Sequence, residues 1–177
     1  IDNWDVSGVT SMVMMFAGAE NFNQPLNNWD VSKVTDMSCM FAGAENFNQP
    51  LNNWDVSEVT DMDFMFEQTR IFDQPLNDWN VNKVTNMSCM FEGATKFNQP
   101  LNNWDVSKVT NMRSMFDGAT EFNQPLNNWN LNPIVDIAGI FGDISQARLD
   151  VIRFPREIPV PHANANAALH DAADAAF

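Results

Sequence analysis

Apolar and polar positions follow one pattern that recurs along the chain. In one unit the apolar side chains are Leu26, Trp29, Val31, Val34, Met37, Met40, Phe41, Ala44 and Phe47. The spacing of two between Trp29 and Val31 predicts a short strand with one buried face. From Val34 onward the spacing is three, which predicts tight turns and one short helical turn over about residues 37–44. The Asn-Gln-Pro segment at 48–50 ends that turn and returns the chain to the next strand.

This pattern repeats every 25 residues, and a tryptophan marks each copy: Trp4, Trp29, Trp54, Trp79, Trp104 and Trp129. A unit this short cannot bury its aromatic and methionine side chains alone, whereas stacked units bury each layer against the next. We therefore expect an α/β repeat solenoid with one short strand and one short helical turn per unit. Its predicted core contains Trp29, Met37, Met40, Phe41 and Phe47.

The pattern divides the chain into three predicted parts. Residues 1–144 contain five near-identical units and a degraded sixth. The sixth unit has inward positions predicted at Trp129, Leu131, Ile134, Ile137, Ile140 and Phe141. Residues 145–154 mix charged and apolar side chains, as expected of a segment that caps the last layer. Residues 155–177 contain a proline-rich linker, which should be extended, and an Ala-rich tail.

An amide position in the last turn of each unit predicts bonds within the stack. Asn48 has equivalents at Asn23, Asn98 and Asn123, and Asp73 takes the place in the third unit. Stacked amides can satisfy backbone groups of turns that would otherwise be buried without a partner. We therefore interpret this series as structural.

The net charge limits the classes of binding partner, and the positions of the cysteines bear on whether a disulfide can form. The formal net charge is −14, which disfavours nucleic acid and anionic lipid surfaces as partners. No apolar run approaches the length of a membrane span, so we expect no membrane insertion by this segment. Cys39 and Cys89 lie two units apart, about 10 Å if each unit adds about 5 Å, which is too far for a disulfide.

The repeated residues resemble a known family. Leu26-x-x-Trp29-x-Val31 resembles the strand of leucine-rich repeats, and the run from Trp29 to Leu51 is similar to the BspA-like branch. That branch includes a repeat of unknown function common in mycoplasma lipoproteins and lactobacillus surface proteins, with related arrays in protists and algae. The resemblance covers about residues 1–144. It implies a right-handed solenoid at a cell surface that serves binding or adhesion, not catalysis.

The sequence predicts that the chain is not an enzyme. Catalysis needs an acid, base or nucleophile converging on one site. The repeats contain no histidine, since His162 and His170 both lie in the tail. No nucleophile motif, phosphate-binding glycine loop or zinc spacing is present. We therefore expect no catalytic residue and no cofactor apart from the cation considered next.

Carboxylates recur at one position beside the tryptophan, namely Asp5, Asp30, Asp55 and Asp105. Carboxylates stacked about 5 Å apart in water repel by about 0.8 kcal/mol per pair. Calcium accepts such oxygen ligands and would relieve the repulsion. Alternatively, each aspartate caps the turn of its own Ser-x-Val-Thr segment or pairs with a nearby lysine. No single unit has the ligand spacing of a calcium loop, which favours the second interpretation.

Positions that differ between the units predict where a partner binds. Phe64 and Ile71 make the third unit unusually apolar on its varied side, and Arg70 and the tail residues Leu169 and Phe177 are further candidate contacts. Neutral drift after duplication would produce the same differences between units. Exposed apolar patches often mark contacts with other proteins. We therefore expect a non-enzymatic solenoid that binds an unidentified protein as an adhesion or scaffold segment. Two alternatives are a calcium- or glycan-binding array on the constant Asn-Asp-Ser face, and a structural or linker subunit of a larger assembly.

Overall fold

Successive 25-residue units lie one on another and pair through their backbones. The structure is a computed structural model that describes residues 1–155. Its one α-helix there, α1, spans Gln146–Ile152. Isolated parallel bridges join equivalent residues of adjacent units, in the order Ser11, Asp36, Asp61, Asn86, Asn111 and Asp136. Numbering the units from residue 1 in steps of 25, these bridges run through all six.

The segment after each bridge carries two interleaved sets of hydrogen bonds. Met37, Cys39, Phe41 and Gly43 donate their N–H groups to the next unit, to the carbonyls of Asp61, Asp63, Met65 and Glu67, at 2.8–3.0 Å. Met40 and Ala42, which lie between them, donate to the carbonyl three residues earlier in their own unit, and Ser38 N donates to Asp36 Oδ1 at 3.0 Å. Every N–H of the segment therefore has a partner, although the segment is neither a helix nor a continuous strand.

The helical turn predicted over residues 37–44 was wrong. Cys39 has φ 55° and Gly43 has φ 71°, both in the left-handed region, so the segment is a run of reverse turns. In an α-helix the N–H groups would bond carbonyls of the same unit, four residues earlier. In this structure, the N–H group of every second residue instead bonds a carbonyl of the next unit. The bridges also lie at Asp36 and its equivalents, beyond the Trp29–Val31 segment where a strand was expected.

The core is a set of aromatic, methionine and aliphatic stacks. Trp29, Met37, Met40, Phe41 and Phe47 are at most 3% exposed. Phe41 packs on Phe47 of its own unit at 4.2 Å between ring centroids and on Phe66 of the next at 5.6 Å. Each layer is thus buried by the layers on either side of it.

Amide side chains bond from one unit to the next, which confirms the predicted structural series. Asn23 Oδ1 accepts hydrogen bonds from Asn48 N at 2.9 Å and from Gln49 Nε2 at 3.1 Å. Asp73 makes the same two contacts with Asn98 and Gln99. Because only an accepting oxygen is needed, aspartate can replace asparagine at this position.

A non-repeated segment covers part of the last layer. Ser145 is the N-cap of α1. Ile152 O accepts from Leu126 N at 2.7 Å, and Arg148 donates to the carbonyls of Ala119 and Phe122. Phe154, six repeat lengths after Trp4, packs edge-on against Trp129 at 6.3 Å. Most of the predicted linker and tail lies outside the described residues.

The prediction that Ile134 points inward was wrong. Ile134 is 69% exposed, whereas Val135 is 4% exposed. Pro133 favours the second position of a reverse turn, so the turn moves one residue later and Val135 N bonds Asn132 O. In the first unit, Trp4 is 56% and Met15 38% exposed, because no described residue packs on that side of the layer.

Candidate functional site

The varied side of the third unit presents one exposed apolar residue in a polar setting. Ile71 is 42% exposed. The residues at its position in other units form polar pairs, Asn46 with Asn21 at 3.3 Å and Lys96 with Glu121. Ile71 lies between these pairs and has no polar group to bond. Ile71 therefore cannot form the polar contact that its equivalents make along the stack.

The two neighbours proposed with Ile71 have different surroundings. Arg70 is exposed and forms an ion pair with Glu45 of the preceding unit at 2.9 Å. Phe64 is half-buried, with φ 53°, and its N–H donates to Ser88 O. The third unit thus presents a cation, an exposed isoleucine and a partly exposed aromatic ring within eight residues of sequence. Leu169 and Phe177 lie outside the described residues.

Charged residues at positions that vary between units form ion pairs along the stack. Glu58 bonds Lys83 at 2.7 Å, and Glu45 and Arg70 make the equivalent contact on another face. Both pairs join the same position in adjacent units. Opposite charges 25 residues apart were the signal in the sequence that could have shown this. Such exposed pairs each contribute little stability, about 0–1 kcal/mol.

The aspartates proposed as calcium ligands are engaged within their own turns. Asp30 Oδ1 accepts from Ser32 N at 3.1 Å and from Ser32 Oγ at 2.6 Å. These bonds, the hydroxyl first, lower the pKa of Asp30. Asp5, Asp55 and Asp105 bond Ser7, Ser57 and Ser107 in the same way, and the pKa of each is lowered for the same reason. Across residues 1–155, no group of three His, Cys, Asp or Glu side chains is placed to hold a metal ion.

A second acidic surface lies along the reverse-turn segments. Burial, and then the charges of Asp61 and Asp36, raises the pKa of Asp63. Burial followed by the charge of Glu92 raises the pKa of Glu67. These partly buried carboxylates repel one another, which favours their protonated forms.

The two cysteines lie beside this acidic surface as free thiols. Burial, and then the hydrogen bond with Glu92 and its charge, raises the pKa of Cys89 to about 12. Burial first, and then nearby carboxylates, also raises the pKa of Cys39. Because the thiolate is the nucleophile, both side chains are poorly reactive at neutral pH.

Comparison with known proteins places the chain in a family without an assigned activity. The family described as "Mycoplasma protein of unknown function, DUF285" matches residues 1–91 and 49–154. No curated protein and no solved structure matches the chain. In the described part of the chain, no helix has the length and apolar character needed to cross a membrane. On the extent of the family match, the chain belongs to the DUF285 family of repeat proteins.

Proposed function

We propose that the chain is a non-enzymatic, leucine-rich-repeat-like solenoid of the BspA-like type that binds another protein as an adhesion or scaffold segment. Exposed Ile71 carries this proposal. Between residues 16 and 133 of the described range, Ile71 is the one large apolar side chain that is exposed, and nearby surface positions form polar pairs along the stack. Ile71 follows Arg70 directly, and the same unit carries the half-buried Phe64, so the unit offers the apolar, arginine and aromatic residue types that bind at the centres of protein interfaces.

The architecture supports the same proposal. Units joined by hydrogen bonds and continuous aromatic stacks hold outward side chains at fixed intervals. A rigid surface loses little conformational entropy on binding, so a few apolar contacts suffice for affinity. The resemblance to BspA-like surface proteins favours an adhesive role.

The test replaces the proposed contacts by residues that other units carry. Phe64→Ser copies Ser114, and Ile71→Asn copies Asn46, so both substitutions suit the local backbone. We expect the double variant to bind the partner at least tenfold more weakly, a loss of about 1.4 kcal/mol or more. Proteins retained by the wild type but not by the double variant are identified by mass spectrometry. Their affinities are then measured with purified components.

The control is Asn46→Ser, which changes the same position in the neighbouring unit. It should bind as the wild type does, and both variants should retain the wild-type circular dichroism. Equal affinity of the double variant and the wild type for every retained protein would show that Phe64 and Ile71 do not form the binding site.

A further inference from the structure

Phe64 is an aromatic residue that does not pack on the core. It is half-buried, and it belongs neither to the core cluster nor to the half-buried apolar side chains that pack against that cluster. It lies one unit after Cys39 and one unit before Cys89 in the stack, where Cys39 N donates to Asp63 O and Phe64 N donates to Ser88 O. An aromatic ring on the outside of the stack, between two uncharged thiols, offers a partner an apolar contact.

Carboxylates lie around the two thiols that flank Phe64. Asp63 precedes Phe64 directly, and Glu67 follows it by three residues. Burial contributes most to the raised pKa of each thiol, and the charges of Asp63 and Glu67 raise the pKa of both further. Other carboxylates act on one thiol each, namely Asp36 and Asp61 on Cys39, and Glu92 on Cys89. The ring of Phe64 therefore lies in a strongly negative part of the surface.

No cation of residues 1–155 pairs with these carboxylates. The ion pairs of that range join other residues, namely Glu45 with Arg70, Glu58 with Lys83, Lys96 with Glu121, and Arg113 with Asp136. Burial and then like charges raise the pKa of Asp63 and of Glu67, and no positive charge contributes to either shift. Partly buried charges are screened less by salt than exposed ones, so a cation brought by a partner would be attracted strongly here.

We propose that the protein bound at Phe64 presents a basic segment, with an arginine side chain that contacts the ring among these carboxylates. This inference rests on the proposed function, since it names the chemistry of the partner at the same site. A guanidinium group can stack on an aromatic face while it pairs with a carboxylate. Arg70 of the chain itself is already paired with Glu45. The formal net charge of −14 also favours the approach of a basic partner.

The experiment measures binding of a basic peptide to the full chain. The probe is a fluorescent twelve-residue peptide of alternating arginine and serine, and its anisotropy is followed at physiological ionic strength. Asp63→Ser combined with Glu67→Ala, which copy Ser38 and Ala42, should weaken binding about tenfold or more. Phe64→Ser leaves the net charge unchanged and should weaken binding about threefold or more. Melting curves establish that each variant is folded.

The matched control also removes two carboxylates. Asp55→Asn combined with Asp105→Asn copies Asn80 at both places and changes the net charge by the same amount. The amide oxygen can keep the bond within the turn, as Asn80 Oδ1 accepts from Asn82 N at 3.3 Å. This control should bind the peptide as the wild type does. Equal weakening by the two double variants would indicate attraction to net charge alone and overturn the proposal, and so would absence of peptide binding at millimolar concentration.

The proteins that the wild type retains separate this inference from the proposed function. We expect both the Phe64→Ser/Ile71→Asn variant and the Asp63→Ser/Glu67→Ala variant to bind them more weakly than the wild type does. Weakening by the first variant alone would leave the proposed function intact and overturn the assignment of a basic partner. Retained proteins that bind both variants as tightly as the wild type would overturn the proposed function and this inference with it.

Discussion

Each buried tryptophan joins two units with one side chain. Trp79 Nε1 donates to Leu51 O at 3.1 Å, and Trp54 and Trp104 make the equivalent bonds with Leu26 and Leu76 at 2.9 Å. The rings also stack, with Trp54 and Trp79 at 6.4 Å and an interplanar angle of 5°. The sequence indicates an apolar position here. The structure adds that the position requires a donor, which explains tryptophan in preference to phenylalanine.

Trp79→Phe should show the contribution of this bond. Phenylalanine fills part of the layer and removes the indole hydrogen bond, while Leu51 O keeps its hydrogen bond from Trp54 N at 3.1 Å. We expect loss of this bond to lower the free energy of unfolding by about 0.5–1.5 kcal/mol, measured by urea titration with circular dichroism. Trp4→Phe is the matched control, because Trp4 is 56% exposed and its indole makes no hydrogen bond with residues 1–155. A loss at Trp4 as large as at Trp79 would contradict the assignment.

At the scale of the element, the reverse-turn segment depends on left-handed residues at fixed positions. Gly43 and Gly118 have φ 71° and 70°, and Gln68 occupies the same position with φ 54°. Cys39, Phe64 and Cys89 are left-handed without being glycine. The stack holds these side-chain-bearing residues in a conformation that costs about 1–2 kcal/mol each. Local propensity disfavours this left-handed conformation, and the hydrogen bonds to the next unit stabilise it.

Gly118→Ala tests the strain at this position. The new Cβ would lie 3.4 Å from the backbone of Gly93 in a left-handed conformation. We expect a loss of about 1–2 kcal/mol in the free energy of unfolding, measured by urea titration. Gly8→Ala is the control, since its Cβ meets nothing within 4 Å and its φ is not left-handed. It should be neutral or slightly stabilising. Equal losses of stability from the two substitutions would contradict the assignment of the effect to backbone strain.

At the scale of the whole molecule, position in the stack decides what a side chain contributes. Met65 is fully buried between neighbouring layers, whereas Met15, at the same position in the first unit, is 38% exposed. In a stacked array, stability is approximately a sum of terms within units and between neighbouring units. The more exposed Met15 side chain therefore loses fewer contacts than Met65 when it is shortened.

Met65→Ala should therefore destabilise the protein far more than Met15→Ala. We expect a loss of about 2–5 kcal/mol at Met65 and less than about 1 kcal/mol at Met15. Thermal unfolding of both variants makes the comparison. Similar losses would contradict the dependence of stability on how deeply each side chain is buried between layers.

The candidate site could be found in the sequence only in part. Ile71 was detectable because it departs from the residues at its position in the other units. Whether it lies in the core or at the surface depends on the backbone of the turn, which apolar spacing does not specify. The charge pairs Glu58–Lys83 and Glu45–Arg70 were present as opposite charges one repeat length apart, but they appeared as variation until the units were stacked.

The sequence by itself determined the repeat length, the residues of each layer and the amide series, because a 25-residue period places identical side chains where they can bury one another. It also indicated where the repeat degenerates. The tertiary structure alone decided how the backbone runs from Met37 to Ala44, since a spacing of three suits both helical and reverse turns. The carbonyls of the next unit select the reverse turns. It also decided that Ile134 lies at the surface and Val135 in the core, because Pro133 shifts the turn by one residue.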